Sequence, residues 1–220
     1  MSKTFSHAKL TPHRSATRGH SDHGWLNTYH SFSFADWYDP RFTHFGSLRV
    51  LNEDRVKPGT GFPTHPHANF EIFSYILSGE LTHRDSMLQK GSEGGQSDKF
   101  YKMNRGDVQF TTGGTGIAHS EFNEHRKDTV HFLQIWAIPW KRGLPPALPH
   151  PQLPRGGQEE GVFVHVPMTK GGKAKVRLDG REEVYSEGDG AFIDNLQAGD
   201  KLSVESVGDA EAEVIVLDTE

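Results

Sequence analysis

The sequence contains no cysteine, which excludes disulfides, thiolate zinc sites, iron–sulfur clusters and cysteine nucleophiles together. It also has no run of about 18 apolar residues, the length that a membrane-spanning helix needs, and no apolar secretory signal at its start. Basic residues are the minority, 24 against 29 acidic ones, so a face that binds nucleic acid is not expected. We expect a cytoplasmic or nuclear protein without mitochondrial targeting.

Histidine, in contrast, is abundant, with 14 residues in a chain of 220. Because cysteine is absent, any bound metal must be held by nitrogen and oxygen atoms. The length allows one large domain or two small ones, at about 100–200 residues per domain. The 24 glycines indicate that much of the chain forms turns and loops.

Proline marks the clearest boundary in the chain. Six of the twelve prolines lie between Pro139 and Pro154, a density that fits neither a helix nor a central strand. We predict an extended linker over residues 139–160, which separates a domain at 18–138 from a smaller one at 161–220. Residues 1–17 are predicted to form a short N-terminal tail.

Both parts of the chain are predicted to form β-structure. Each contains short runs of β-branched or aromatic residues, and turn residues flank these runs. The predicted strands are Ser47–Leu51, Phe70–Leu77, Asp107–Phe110 and Thr129–Trp136, followed by Val162–Val166, Ala174–Leu178, Ala191–Ile193, Leu202–Val204 and Val214–Leu217. No helix longer than two turns is predicted, and Gly91–Gly95 is expected to be a solvated loop. Many short strands at this spacing indicate an all-β sandwich or barrel.

Two segments carry residues that suit metal chemistry. In an extended strand, residues i and i+2 point to the same side. His65 and His67 therefore project together, and so do His119 and Glu121. If the two strands are close, three imidazoles and one carboxylate converge, a set that suits non-haem iron or a similar metal. Four protein ligands leave coordination positions open, which is typical of a catalytic site.

Glu71 is an alternative for the carboxylate ligand. It lies an even number of residues from His65 and His67, so the alternation of an extended strand would place it on the same side. Its other expected role is a hydrogen bond to a ligand imidazole or to the backbone. The residues favour Glu121 because it stands two residues from His119, without excluding Glu71.

The remaining histidines are expected to have ordinary roles. His83 is predicted to face solvent or the rim of a pocket, and His131 to lie on either face of its strand. Solvent exposure is expected for His7, His13, His44, His125 and His150, and structural hydrogen bonding for His20, His23 and His30. The barrel core is expected to contain Phe32, Phe34, Phe45, Phe73, Phe110 and Trp136.

Several motifs together resemble one family. They are Arg18-Gly-His-Ser-Asp-His-Gly-Trp25, His30-Ser-Phe-Ser-Phe34, Tyr38-Asp-Pro40, Phe62-Pro-Thr-His-Pro-His67, Gly114-Thr-Gly-Ile-Ala-His-Ser-Glu121 and Leu133-Gln-Ile-Trp136. From about residue 15 to 145 the chain resembles the bicupins that include pirin and the pirin-like quercetinases. The segment 162–180 is most similar to fungal pirin-like proteins. The resemblance implies a cupin jelly-roll that binds one metal through His65, His67, His119 and Glu121, and it decides against Glu71.

The resemblance also implies a function. It suggests a metal-dependent quercetin 2,3-dioxygenase-like oxidoreductase that acts on a flavonol-like polyphenol and dioxygen. Fe(II) is the expected metal, with Cu, Mn, Ni or Zn as alternatives, and Glu121 is the candidate general base for the 3-hydroxyl proton. Two alternatives are an iron-binding nuclear co-regulator that contacts a transcription factor, and an inactive shortened member of the family.

The C-terminal part departs from the family pattern. Only about 20 residues stand where members place several strands, so an incomplete second barrel with an exposed edge is expected. This half holds no ligand set around His165 and should bind no metal. Neither direct nucleic-acid binding nor membrane binding is expected.

Overall fold

The computed structural model describes residues 7–87, 100–147, 161–169, 171–178 and 180–219. Within these ranges the regular secondary structure is almost entirely β-strand, with a short 3-10 helix at Ser15–Thr17 and helical backbone at Ser86 and Met87. No helix in the described ranges has the length and apolar character needed to cross a bilayer. The predicted loop at Gly91–Gly95 and most of the predicted linker at 139–160 lie outside the described residues.

Seventeen strands are seen in the described ranges. The first eleven are β1 (Lys9–His13), β2 (Gly19–Asp22), β3 (Leu26–His30), β4 (Leu48–Val56), β5 (Thr60–His67), β6 (Glu71–Ser78), β7 (Glu80–Asp85), β8 (Tyr101–Asn104), β9 (Val108–Thr112), β10 (Ile117–Asn123) and β11 (Val130–Ala137). The last six are β12 (Gly161–His165), β13 (Lys173–Leu178), β14 (Arg181–Tyr185), β15 (Gly190–Asp194), β16 (Leu202–Val207) and β17 (Ile215–Asp218). Each of the nine predicted strands overlaps one of these.

The chain forms two compact units. The larger unit comprises residues 19–44 and 48–156. It contains a six-stranded sheet, ordered β2-β3-β4-β11-β6-β9, and a four-stranded sheet, ordered β5-β10-β7-β8. All the pairings are antiparallel. These are the two layers of a jelly-roll.

A hydrophobic core joins the two sheets of the larger unit. Phe132 and Ile76 come from the six-stranded sheet, whereas Leu81 and Met103 come from the four-stranded sheet, and all four side chains are buried in one cluster. The apolar faces of both sheets are removed from water by this packing. The sheets therefore form one rigid support for side chains that point between them.

Strand β5 lies at an edge and contains Pro63 and Pro66, which cannot donate backbone hydrogen bonds. Its register against β10 shifts between the pair His119–His65 and the pair Glu121–Phe62. Two residues of β5, Pro63 and Thr64, thus stand opposite one residue of β10, Ser120, which is a β-bulge. The bulge and the edge position explain how a strand with two prolines is tolerated here.

The smaller unit comprises residues 1–18, 45–47 and 157–220. It has one sheet ordered β1-β15-β12-β17 and another ordered β14-β13-β16. Val164, Val176, Tyr185 and Ile193 are fully buried in its core. Exposed valines occur on three of its described edge strands, at Val184, Val204 and Val216, as expected for a shortened half with unprotected edges.

The N-terminal segment differs from the prediction of a tail over residues 1–17. Strand β1 pairs along its whole length with β15, from Lys9 opposite Asp194 to His13 opposite Gly190. Ala8 is buried in the same core. The expectation that His13 is exposed is wrong, because its ring is buried and contacts Phe192 at 5.2 Å between ring centroids.

Candidate metal centre

The candidate site is built on three neighbouring strands of the four-stranded sheet. In β10, His119 stands opposite His65 of β5 and opposite Asp85 of β7. Two residues on, Glu121 stands opposite His83 of β7. Residues opposite one another in a ladder share a face of the sheet. His65, His119 and Asp85 therefore form one row across the sheet, and Glu121 and His83 form the next row.

Three of the four predicted ligands form a tight cluster. The ring centroids of His65, His67 and His119 are 4.6–4.7 Å apart, and the rings are nearly perpendicular to one another. One ligand nitrogen from each ring lies within 4.8 Å of the others. The Nε2 atoms of His65 and His119 are 3.1 Å apart. The ring of His65 is oriented through its Nδ1 atom, 2.8 Å from the carbonyl oxygen of Pro63.

The protonation of this cluster suits metal binding. Burial, together with the nearby imidazole of His65, lowers the pKa of His67 to about 4. Burial also lowers the pKa of His119 to about 4. Both rings are therefore neutral at pH 7 and keep a lone pair for a cation.

Two nitrogen atoms of the cluster are left unsatisfied. Neither His67 Nε2 nor His119 Nδ1 has a hydrogen-bond partner within the described part of the chain, although both are buried. An unsatisfied buried polar atom is costly and is often explained by an ion. The donor set thus fits a metal that accepts imidazole nitrogen, and these three histidines could bind one.

Glu121 lies beside this cluster but outside the tight group of three. Its carboxylate is buried between the two sheets, where Oε1 accepts a hydrogen bond of 2.7 Å from Ser74 of β6. Its Oε2 accepts a bond of 2.8 Å from the side-chain amide of Gln134 of β11. Burial alone would raise the pKa of Glu121, but contacts with His83, His119 and Ser74 lower it to about 2. The side chain is thus an ionised, fixed carboxylate.

A second group of polar side chains was not predicted. His83, Asp85 and His119 are all buried, with one ligand atom of each within 4.8 Å of the others. His83 Nε2 is 3.6 Å from Asp85 Oδ2, and His83 Nδ1 is 3.8 Å from Glu121 Oε1. These carboxylates raise the pKa of His83 to about 9, although burial opposes the shift. His83 is therefore a buried cation held between two carboxylates.

The expectation that His83 faces solvent or a pocket rim is wrong. The spacing His83-Arg-Asp85 repeats the two-residue step of His65-Pro-His67 and His119-Ser-Glu121. That shared step is the signal by which the sequence could have revealed the pair. This signal is informative only when the register of β7 against β10 is known.

The other candidates have different surroundings. Glu71 accepts a hydrogen bond of 2.7 Å from the hydroxyl of Thr112 and belongs to neither group of possible ligands. His131 is buried with its Nε2 atom 2.8 Å from Glu53. His30 is buried with its Nδ1 atom 2.8 Å from Oδ1 of Asn52, which fits the structural role expected for it.

Aromatic side chains flank the three histidines. Trp136 meets His67 edge to face, with ring centroids 4.9 Å apart. Phe62 lies 6.4 Å from His65 and packs against Trp25. Flat apolar surfaces therefore adjoin the imidazole cluster on two sides.

The part of the chain that carries this site matches a known protein family. The profile of the Pirin family matches residues 11–137, a segment that contains all four predicted ligands. The quercetin 2,3-dioxygenase of Escherichia coli K12 is 43% identical over 129 residues, which are 59% of this chain and 52% of that protein. A pirin-like protein of Caulobacter vibrioides is 40% identical over 146 residues, 66% of this chain and 58% of that protein.

Solved structures show the same architecture. The crystal structure of YhhW from Escherichia coli matches with a TM-score of 0.75 and 29% identity, over 96% of this chain and 98% of that chain. A structure described as bacterial pirin YhhW in complex with nickel(II) matches with a TM-score of 0.74. The predicted fold is confirmed: an all-β cupin jelly-roll in bicupin form, with a shortened second half. The chain spans about half the length of the curated relatives that it matches.

Proposed function

The chain belongs to the Pirin family, and from that premise we propose that it is a metal-dependent dioxygenase that acts on a flavonol-like polyphenol. The observation that carries the proposal is the cluster of His65, His67 and His119, whose ring nitrogens converge. The names of the relatives supply the reaction type. The residues supply a site in which such a reaction can occur.

In this proposal His65, His67 and His119 bind one metal ion through ring nitrogens. The family favours iron, and the nickel complex of YhhW makes nickel a serious candidate beside copper, manganese and zinc. When bound, the metal supplies a Lewis acid with open positions for oxygen atoms of the substrate and dioxygen. The protein contributes neutral imidazoles and a partly enclosed, aromatic surrounding.

Glu121 is proposed as the fourth ligand. Its ionised carboxylate is already anchored by Ser74 and Gln134, so its orientation is fixed before an ion arrives. Because contacts with His83, His119 and Ser74 lower its pKa to about 2, Glu121 is a weak base in this arrangement. To accept the 3-hydroxyl proton of a flavonol, its carboxylate has to move away from His83 or give up the hydrogen bond from Ser74, and either change raises its basicity.

Trp136 and Phe62 are proposed to contact the aromatic rings of the substrate. They flank His67 and His65, so a planar molecule that reaches the metal meets an apolar surface. Such surfaces orient aromatic ligands through stacking and burial.

The test compares the metal-loaded protein with a His119→Ala variant and with His23→Ala as a matched control at an exposed histidine. We expect about one metal ion per chain and oxygen-dependent loss of quercetin absorbance for the parent and His23→Ala. The His119→Ala protein should lose both. Full metal content in folded His119→Ala would refute the ligand assignment, and a metal-loaded parent that consumes no oxygen with quercetin or other polyphenols would refute the activity.

A further inference from the structure

A separate cavity lies in the larger unit and is lined in part by Trp136, whose ring also contacts the imidazole of His67. It has a volume of about 290 Å³, close to the lower end of the range for ligand pockets, about 300–1,000 Å³. None of the residues that line it is a histidine. The proposed metal centre therefore does not account for it.

The walls of this cavity are mainly aromatic. The lining includes Phe34, Trp37, Tyr38, Phe70 and Trp136. Trp136 packs edge to face on Phe34, with centroids 5.5 Å apart, and lies 5.3 Å from Phe70. Tyr38 is 71% exposed, so its ring is accessible to a ligand from solvent. Such walls suit a small planar aromatic ligand, because stacking and edge contacts are available from several sides.

One cation completes the lining. The guanidinium of Arg49 donates a hydrogen bond of 2.8 Å from Nη1 to the carbonyl oxygen of Ser33. Across the described residues, no carboxylate lies within ion-pair distance of Arg49. The nearby Asp39 is occupied by Arg41, at 2.6 Å, and Asp36 does not line the cavity. Arg49 is therefore a positioned cation that keeps donors for an anion.

The wall that carries Phe34 and Trp37 is rigid. These two residues form a tight bridge with backbone hydrogen bonds of 3.0 and 3.1 Å. The ring of His30 lies against both of them, at 5.5 and 6.5 Å between centroids. A wall fixed in advance reduces the ordering cost of binding.

We propose that this cavity is a binding site for a small planar aromatic anion, with the rings held between the aromatic walls and a carboxylate or similar group on Arg49. The site is distinct from the metal centre, and its existence does not depend on the proposed dioxygenase activity. Trp136 belongs to both places, since it lines the cavity and contacts His67. A ligand here thus lies one ring away from the proposed metal ligands.

The experiment uses 2-naphthoate as the anionic probe and 2-naphthamide as its neutral counterpart, with binding measured by calorimetry. Parent protein is titrated before and after metal removal by a chelator. We expect 2-naphthoate to bind at least about tenfold more tightly than 2-naphthamide, as a charged hydrogen-bonded pair requires. The preference should survive metal removal.

Three variants locate the site. Arg49→Gln should abolish the preference for the anion, and Arg126→Gln, at an exposed arginine of the same unit, should retain it. Tyr38→Ala changes an exposed side chain, so the protein should still fold. This variant should bind both probes more weakly. Equal binding of the two probes, an unchanged preference in Arg49→Gln, or loss of 2-naphthoate binding on metal removal would each overturn the proposal. The last result would place the carboxylate at the metal instead.

Discussion

The hydroxyl of Ser74 donates a 2.7 Å hydrogen bond to the carboxylate of Glu121, and this bond joins the two sheets of the larger unit. Ser74 belongs to the six-stranded sheet and Glu121 to the four-stranded one. Both side chains are buried. The bond therefore links the orientation of a proposed metal ligand to the packing of one sheet on the other.

Replacing Ser74 by alanine tests this link. The loss of a hydrogen bond to a buried carboxylate should lower the free energy of unfolding by about 1–3 kcal/mol. Loss of the group that orients a ligand should also weaken metal binding by about 10–100-fold. Denaturant titration and competition with a chelator measure the two effects. Ser78→Ala, at the exposed end of the same strand, should change neither. Unchanged metal affinity in Ser74→Ala would show that Glu121 needs no such orientation.

His83 offers a second prediction, because it is the buried cation between Asp85 and Glu121. Substitution by leucine leaves two buried carboxylates without their counter-charge. The free energy of unfolding should fall by about 3–5 kcal/mol, the usual cost of removing one partner of a buried ion pair. Denaturant unfolding of the metal-free protein measures it. The double variant His83→Leu/Asp85→Leu should recover part of the loss, and His23→Leu, at an exposed position, should cost little. A loss below about 1 kcal/mol in His83→Leu would contradict the ion-pair interpretation.

The sequence contained the information for part of this site. Because side chains alternate along a strand, the pairs at His65 and His119 could be predicted to share a face, and the register confirms that the two are opposite each other. Ser74 and Gln134 were visible only as polar residues within apolar strands. Their common partner depends on how one sheet packs on the other, which local periodicity does not encode. The burial of His83 was missed for the same reason.

The N-terminal strand shows a similar limit. Residues 9–13, Lys-Leu-Thr-Pro-His, have a weak alternating pattern, and their partner β15 lies about 180 residues further along the chain. Pairing over such a separation leaves no local signal. The strands that coincide with apolar runs, by contrast, can be predicted from the sequence, because turn residues flank their β-branched and aromatic residues.

Gly61 provides a third prediction, about the approach of β5 to β10. A Cβ atom at this position would lie 2.3 Å from the carbonyl oxygen of Glu121 and 2.6 Å from the Cα atom of Phe122. Both neighbours are backbone, so the strands must separate to accept Gly61→Ala. We expect a loss of about 1–3 kcal/mol in unfolding free energy and weaker metal binding, since His65 follows on the displaced strand.

The control for Gly61→Ala is Thr64→Ala, at an exposed position of the same strand. Both variants are compared by denaturant unfolding and by metal competition. If Gly61→Ala retains the metal affinity of the parent, the contact between β5 and β10 does not set the geometry of the histidine cluster.

The last prediction concerns strand β1. Deletion of residues 1–13 removes the strand that pairs with β15 from Lys9 to His13, and it removes Ala8 from the core of the smaller unit. Strand β15 then becomes an edge, because β12 is its one remaining neighbour in the described sheet. Backbone amides of β15 should exchange with deuterium about tenfold faster or more, since several hydrogen bonds worth about 1 kcal/mol each are lost. Hydrogen exchange followed by mass spectrometry gives this rate for each peptide.

Deletion of residues 1–6 keeps β1 and should leave the rate unchanged, and peptides of β11 in the larger unit provide an internal reference. Equal exchange of β15 in the two deletions would mean that β1 contributes nothing to the stability of this sheet.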